Sequence, residues 1–270
     1  TAAESGGYFP GSDRKEGELM IRELRVEIRK TRRRFLWALP LGVVLIEFLI
    51  LVTNKYAYKP EVLEDGYFYL LFGIPLYNTI FLPLTLAVMA SRICDAENKG
   101  NTYKLLCTMQ EKRHIFDVKL LLGGLYVLFL TALEALLLLV LGQIIPITQP
   151  FPLKHSLIFL GVLFVVSWSL FLMQQILSLL ISSQLIPLFI GLLGSFVGVF
   201  SAFFPMDKVT GFLPWGYYIV GLTISSWYDE ANRISYYYES SFRWPWFVGF
   251  LVFSLILYFV GKRLFLKKEV

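Results

Sequence analysis

Two cysteines and two histidines in 270 residues leave little from which to build a metal site. Cys94 and Cys107 fall in one polar stretch and are expected as reduced thiols on a cytoplasmic segment, not as a disulfide. His114 and His155 do not make a His-rich site, and Cys94, Cys107 and His114 match no common zinc spacing. No G-x-x-x-x-G-K-[ST] occurs, so no P-loop on this chain cradles nucleotide phosphates. HExxH and GxSxG are missing too, and neither histidine lies in an apolar run, which leaves hydrolytic chemistry poorly supplied. No catalytic, cofactor-binding or metal-ligating residue is assigned. Charge is also scarce, at 17% of residues against about 25% in ordinary globular chains.

What the chain has instead is apolar bulk in blocks. It is 56% hydrophobic with a mean hydropathy of +0.62, and the blocks are long enough to span a bilayer. The expected class is therefore all-α, a polytopic membrane protein. Six spans are expected: Phe35–Val52, Tyr67–Ala90 (interrupted by Gly73, Pro75 and Pro83), Leu120–Ile145, Leu157–Ile181, Leu185–Phe204 and Trp246–Val260. The net charge of +5 comes from clusters that flank these spans, which reads as orientation and not as a nucleic-acid surface. With the N-terminus inside, nineteen Lys and Arg fall on inner segments and six on outer ones, so both termini are expected in the cytoplasm.

Residues 1–17 are Gly, Ser and charge, and read as a flexible arm. Met20 stands just before the pattern begins, so part of the first nineteen residues is read as non-native or processed. No signal peptide is expected, because the first apolar run starts only at Phe35. Residues 18–34 alternate Ile21, Leu24 and Ile28 with Arg22, Arg25, Arg29, Arg32 and Arg33. That is a basic amphipathic helix for the membrane interface, its arginines toward anionic lipid headgroups, or simply a charge anchor for the first span. Between the fifth and sixth spans, Phe212–Ser225 is apolar but too short to cross, and is expected as a re-entrant or interfacial segment. Trp215, Tyr217, Tyr218 and Trp227 around it read as an outer aromatic belt, with substrate contact as the alternative.

Inside the apolar runs, Glu47 and Glu134 are the charged residues that call for a role. They contact a cationic substrate, carry a proton, or hydrogen-bond a neighbouring helix. Asn78, Gln174 and Gln175 read as interhelical hydrogen-bond partners, and Gly191, Gly194, Ser195 and Gly198 as a small face for close packing, within the chain or across a dimer.

Ala96–Lys119 is the long polar run between two strongly apolar blocks. From Thr102 its apolar residues recur three or four apart, which predicts a short amphipathic surface helix; a solvated loop is the alternative. Its E-x-x-G-x-T-x-x-x-L followed by R-x-x-x-x-x-K resembles the first cytoplasmic loop of ABC transporter type-2 permeases, with Glu97, Gly100, Thr102, Leu106, Arg113 and Lys119 on the pattern. The proline usual in that family before the basic turn is replaced by Met109-Gln110-Glu111-Lys112. The Gly-Asn-Thr variant, basic opening and short length are most similar to lantibiotic-immunity and peptide-export permeases of Gram-positive bacteria.

The resemblance implies a coupling helix, with Glu97, Gly100, Thr102, Leu106, Arg113 and His114 toward two copies of a separate cytoplasmic ATPase that holds the ATP and Mg. It also implies a second permease, identical or paralogous, and export of an amphipathic or antimicrobial peptide. An exporter of a lipid-linked polysaccharide or a small drug is the alternative on the same scaffold. Alternatives of other classes are an intramembrane enzyme using Glu47 or Glu134, and a sensor or scaffold that transports nothing.

Overall fold

A helix that is apolar nearly all round cannot face water, and its backbone must satisfy itself internally. In the computed structural model, which describes residues 12–32, 34–99, 110–204 and 209–268, such helices dominate. The α-helices are α1 (Ser12–Arg32), which is basic and amphipathic, α2 (Ala38–Thr53), α3 (Pro60–Leu63), α4 (Gly66–Lys99), α5 (Lys112–Ile144), α6 (Leu153–Leu180), α7 (Leu185–Ser201), α8 (Tyr217–Val220) and α9 (Trp244–Lys267). Among the described residues α4, α5, α6 and α9 are long and apolar enough to cross a membrane, whereas α2 and α7 are shorter apolar helices. At 1.5 Å per residue, the 34 residues of α4 reach about 51 Å, well past a hydrocarbon core of about 30 Å. The 33-residue α5 does the same. These two helices are the arms on either side of the polar run.

Helix α4 is the central member. It packs against α6 and α7 and also touches α2 and α5, while α9 lies against α6 and α5 with few residues buried. The expected break at Gly73, Pro75 and Pro83 does not occur, since α4 runs through both prolines. Helix hydroxyls take up some of its carbonyls: Thr79 Oγ1 donates to Pro75 O at 2.8 Å, and Thr85 Oγ1 to Phe81 O at 2.8 Å. The small face of α7 turns inward. Gly191 lies so close to α4 that an added Cβ would collide with the Ala87 methyl and crowd the Pro83 carbonyl. Gly194 and Gly198 seat Trp215. The close packing is thus within the chain, and the opposite side of α7 leaves Phe189, Phe196 and Phe200 exposed.

Two further expectations are corrected. Helix α1 begins at Ser12, inside the stretch read as a flexible arm, because Arg14, Lys15 and Glu16 are competent helix formers despite their polarity. The fold is also not purely helical. The stretch Phe212–Ser225, expected as a re-entrant or interfacial segment, is built of two 3₁₀ turns (Thr210–Phe212 and Pro214–Gly216), then α8, then the start of a strand. Strand β1 (Ile224–Asp229) pairs antiparallel with β2 (Ile234–Glu239), with Trp227 opposite Tyr236. At the turn the Asp229 carboxylate accepts from Asn232 Nδ2 at 2.7 Å and from Ala231 N at 2.9 Å, which holds its pKa below the ordinary aspartate value. Asn232 and Arg233 then close the turn, with Arg233 at φ 54°.

The inward small face makes a prediction. Gly191→Ala overpacks the α4–α7 contact and costs about 1–3 kcal/mol, read as a lower apparent melting temperature in detergent. Gly161→Ala, where a Cβ meets nothing within 4 Å, leaves it unchanged or slightly raised.

Candidate functional site

Polar groups gather in two places inside this apolar framework. The first is the start of α5, directly after the polar run. Over its first two turns, α5 is bonded to four other helices. Lys112 Nζ donates to Lys268 O, just past the end of α9, at 2.7 Å. His114 Nδ1 lies 3.6 Å from Glu23 Oε2 on α1. Phe116 O accepts from Gln175 Nε2 on α6 at 2.9 Å, while the Asp117 carboxylate takes Lys262 at 2.5 Å and Tyr258 at 2.9 Å, both from α9. Lys119, 1% exposed, donates to Glu27 Oε2 on α1 at 3.2 Å and to Ile93 O on α4 at 3.1 Å.

The helix spacing explains which side of α1 takes part. Met20, Glu23, Leu24, Glu27 and Thr31 recur every three or four residues and turn toward the bundle. Arg22, Arg25, Arg29 and Arg32 stay exposed, as do Ile21 and Ile28. The acidic residues dock α1 while its arginines do not. Burial by itself would push Glu27 up, but Lys119 and Lys30 hold its carboxyl below the ordinary value of 4.5. Lys30 Nζ sits 2.7 Å from Glu27 Oε1, so each carboxylate oxygen has a cation.

The second place is the interior between α2, α4 and α5. Glu47, Asn78 and Glu134 are each 0% exposed. With its amide turned so that the nitrogen faces the carboxyls, Asn78 donates to Glu47 Oε1 at 3.2 Å and to Glu134 Oε1 at 3.0 Å. One amide with two donors therefore serves two buried carboxyls on different helices. Gln174, 1% exposed, takes no part; among the described residues neither of its polar side-chain atoms has a partner, and its Nε2 lies against the Gly191 contact.

Of the coupling residues, Gly100, Thr102 and Leu106 lie outside the described residues, together with most of the expected surface helix. Glu97 falls in the last turns of α4. Arg113 and His114 open α5, with Arg113 exposed. The outer aromatics divide. Tyr217 stacks on Phe250 with centroids 4.2 Å apart, and Tyr218 hydroxyl meets Ser167 Oγ at 2.9 Å; both are buried. Trp227 is exposed on the hairpin and stacks on Tyr236. The docking role of Glu23 and Glu27 and the pairing of Asp117 with Lys262 escaped the sequence reading. A usable signal was there, since Glu23, Glu27 and Thr31 share the helix face opposite the arginines.

Helices of this length and apolarity, with polar junctions only where helices meet, define a polytopic membrane protein. The sequence profile described as "ABC-2 family transporter protein" matches residues 23–198, more than half of the chain. The chain belongs to that family, and it is a membrane permease of an ABC transporter, not itself an enzyme. Such permeases generally work with a cytoplasmic ABC ATPase. No curated protein and no solved structure matches the chain.

Two outcomes follow from the geometry. Glu27→Gln takes from buried Lys119 this counter-charge and lowers apparent stability by roughly 3 kcal/mol, measured by thermal unfolding in detergent. Because Glu27 is held below 4.5 in the folded chain, its contribution is complete above pH 4.5 and drains away as the pH falls below it. The difference between wild type and Glu27→Gln therefore shrinks in melts run on the acid side. Asn78→Leu leaves two buried carboxyls without their shared donor and costs about 1–3 kcal/mol by the same measurement.

Proposed function

We propose that this chain is half of the conduit of an ATP-driven exporter, moved by an ATPase on a separate polypeptide. Two copies of that ATPase, carrying the ATP and Mg, dock beneath two permeases, identical or paralogous. In this reading α2 and α7 complete six spans, both termini are cytoplasmic, and the polar run faces the ATPase. The supporting observation is the start of α5. The expected coupling segment feeds directly into a stretch of helix bonded to α1, α4, α6 and α9. Motion delivered to that segment reaches every helix that α5 grips, so a short lever suffices to rock the bundle.

The cargo assigned by resemblance is an amphipathic or antimicrobial peptide, leaving the inner leaflet or cytoplasm for the outside. Glu47 and Glu134 are offered either as its contact groups or as the clasp that keeps α2, α4 and α5 together while the bundle moves. Pull-down of the partner ATPase tests the coupling. Gly100→Pro or Leu106→Asp is expected to reduce association and transport about tenfold or more, on the scale of losing one central apolar contact of an interface. Unchanged association together with unchanged transport removes the role. Stimulation of ATP hydrolysis in the reconstituted complex by a cationic peptide, but not by lipid-linked sugar or small drugs, identifies the cargo class.

A further inference from the structure

At the end of α6 remote from the start of α5, a cavity of about 450 Å³ opens between α6 and the segment leading from β2 to α9. That is within the roughly 300–1,000 Å³ usual for small-ligand sites. Its lining carries both signs of charge. Lys154 is an exposed cation in the first turn of α6, where no side chain caps the helix; the Leu153 and Ser156 amides donate to Phe151 O and Pro152 O, and those of Lys154 and His155 have no partner among the described residues. Glu239 lies across from it with its side chain 63% exposed. His155, only 8% exposed, fixes that carboxylate: its Nε2 is 3.2 Å from Glu239 Oε1 and its Nδ1 is 3.0 Å from Thr223 Oγ1. The Ser240 hydroxyl is buried in the lining with no partner among the described residues. Phe242 and Trp244, in edge contact with centroids 4.7 Å apart, close the apolar side.

We propose that this cavity binds a phosphoethanolamine group, with its phosphate on the Lys154 ammonium, the Lys154 and His155 amides and Ser240, and its ammonium on Glu239. The chemistry selects the ligand. A lone anion leaves the Glu239 carboxylate facing it without a counter-charge, and a lone cation leaves Lys154 so. A primary ammonium donates N–H bonds to a carboxylate, which a quaternary one cannot do. Leu153, Leu157 and Trp244 stand exposed beside the cavity, which places it where headgroups meet acyl chains, so a membrane phospholipid is one source and a soluble phosphoethanolamine the other.

The test titrates the purified full chain in detergent with short-chain phosphatidylethanolamine, phosphatidylglycerol and phosphatidylcholine, and with free O-phosphoethanolamine, read by native mass spectrometry. Wild type is expected to take one phosphatidylethanolamine with about tenfold preference over the other two lipids. Glu239→Gln abolishes that preference and keeps the residual binding, whereas Lys154→Met weakens all three lipids about tenfold. A common folding defect cannot produce these two different patterns. Competition by free O-phosphoethanolamine shows that the headgroup alone suffices, and its failure to compete shows that the acyl part is read as well; either supports the assignment when the lipid preference is present. Equal binding of the three lipids by wild type overturns it, as does Glu239→Gln keeping the preference or losing all binding.

Discussion

A lysine ammonium sealed from water is tolerable only if its charge is met on the spot, and Lys119 meets this requirement at the meeting point of three helices. Glu27 supplies the counter-charge from α1 and Ile93 a carbonyl from α4. Drawing α1 away takes a counter-charge from Lys119 and drawing α4 away takes a carbonyl acceptor, so this contact couples both helices to α5. The other bonds of the same stretch extend the coupling to α6 and α9. A bundle held largely by non-directional side-chain packing thereby acquires a place where relative position is also fixed by directional bonds.

The polar interior between α2, α4 and α5 follows the same logic at a different depth. Two carboxyls brought together in a dry interior repel if both are charged and cost their solvation in any case. Asn78 meets that cost with both amide hydrogens and binds α2 to α5 through α4. The two carboxyls lie close enough to share a hydrogen bond of their own, so a small group of directional bonds clasps α2, α4 and α5 within an apolar interface.

Exposure has a different meaning here from that in a water-soluble chain. Leu255, Phe259 and Val260 lie on the outside of α9, a helix long and apolar enough to cross a membrane, and lipid solvates such side chains as well as a core does. What must be hidden is the backbone and the polar side chain. This explains why the fully buried residues include Glu47, Asn78, Lys119, Glu134 and Gln175 alongside leucines.

Composition, periodicity and the placing of charge were enough to establish the membrane class, the long apolar helices and the amphipathic α1, because each follows from local pattern and a bilayer's thickness, whereas the family was reached through the resemblance of the motif from Glu97 to Lys119. The hairpin was missed although Asp229 and Asn232 flag a turn between residues that favour strands, since the surrounding aromatics suit an interfacial belt equally well. Which face of α1 docks, where Tyr217 and Tyr218 point, and that Glu47, Asn78 and Glu134 share one site were decided only in three dimensions. Glu27 and Lys119 stand 92 residues apart, and a lipid-facing and a helix-facing position carry the same apolar letters. Hydropathy says that a helix leaves water; only its packing against particular neighbours says which side it turns to them.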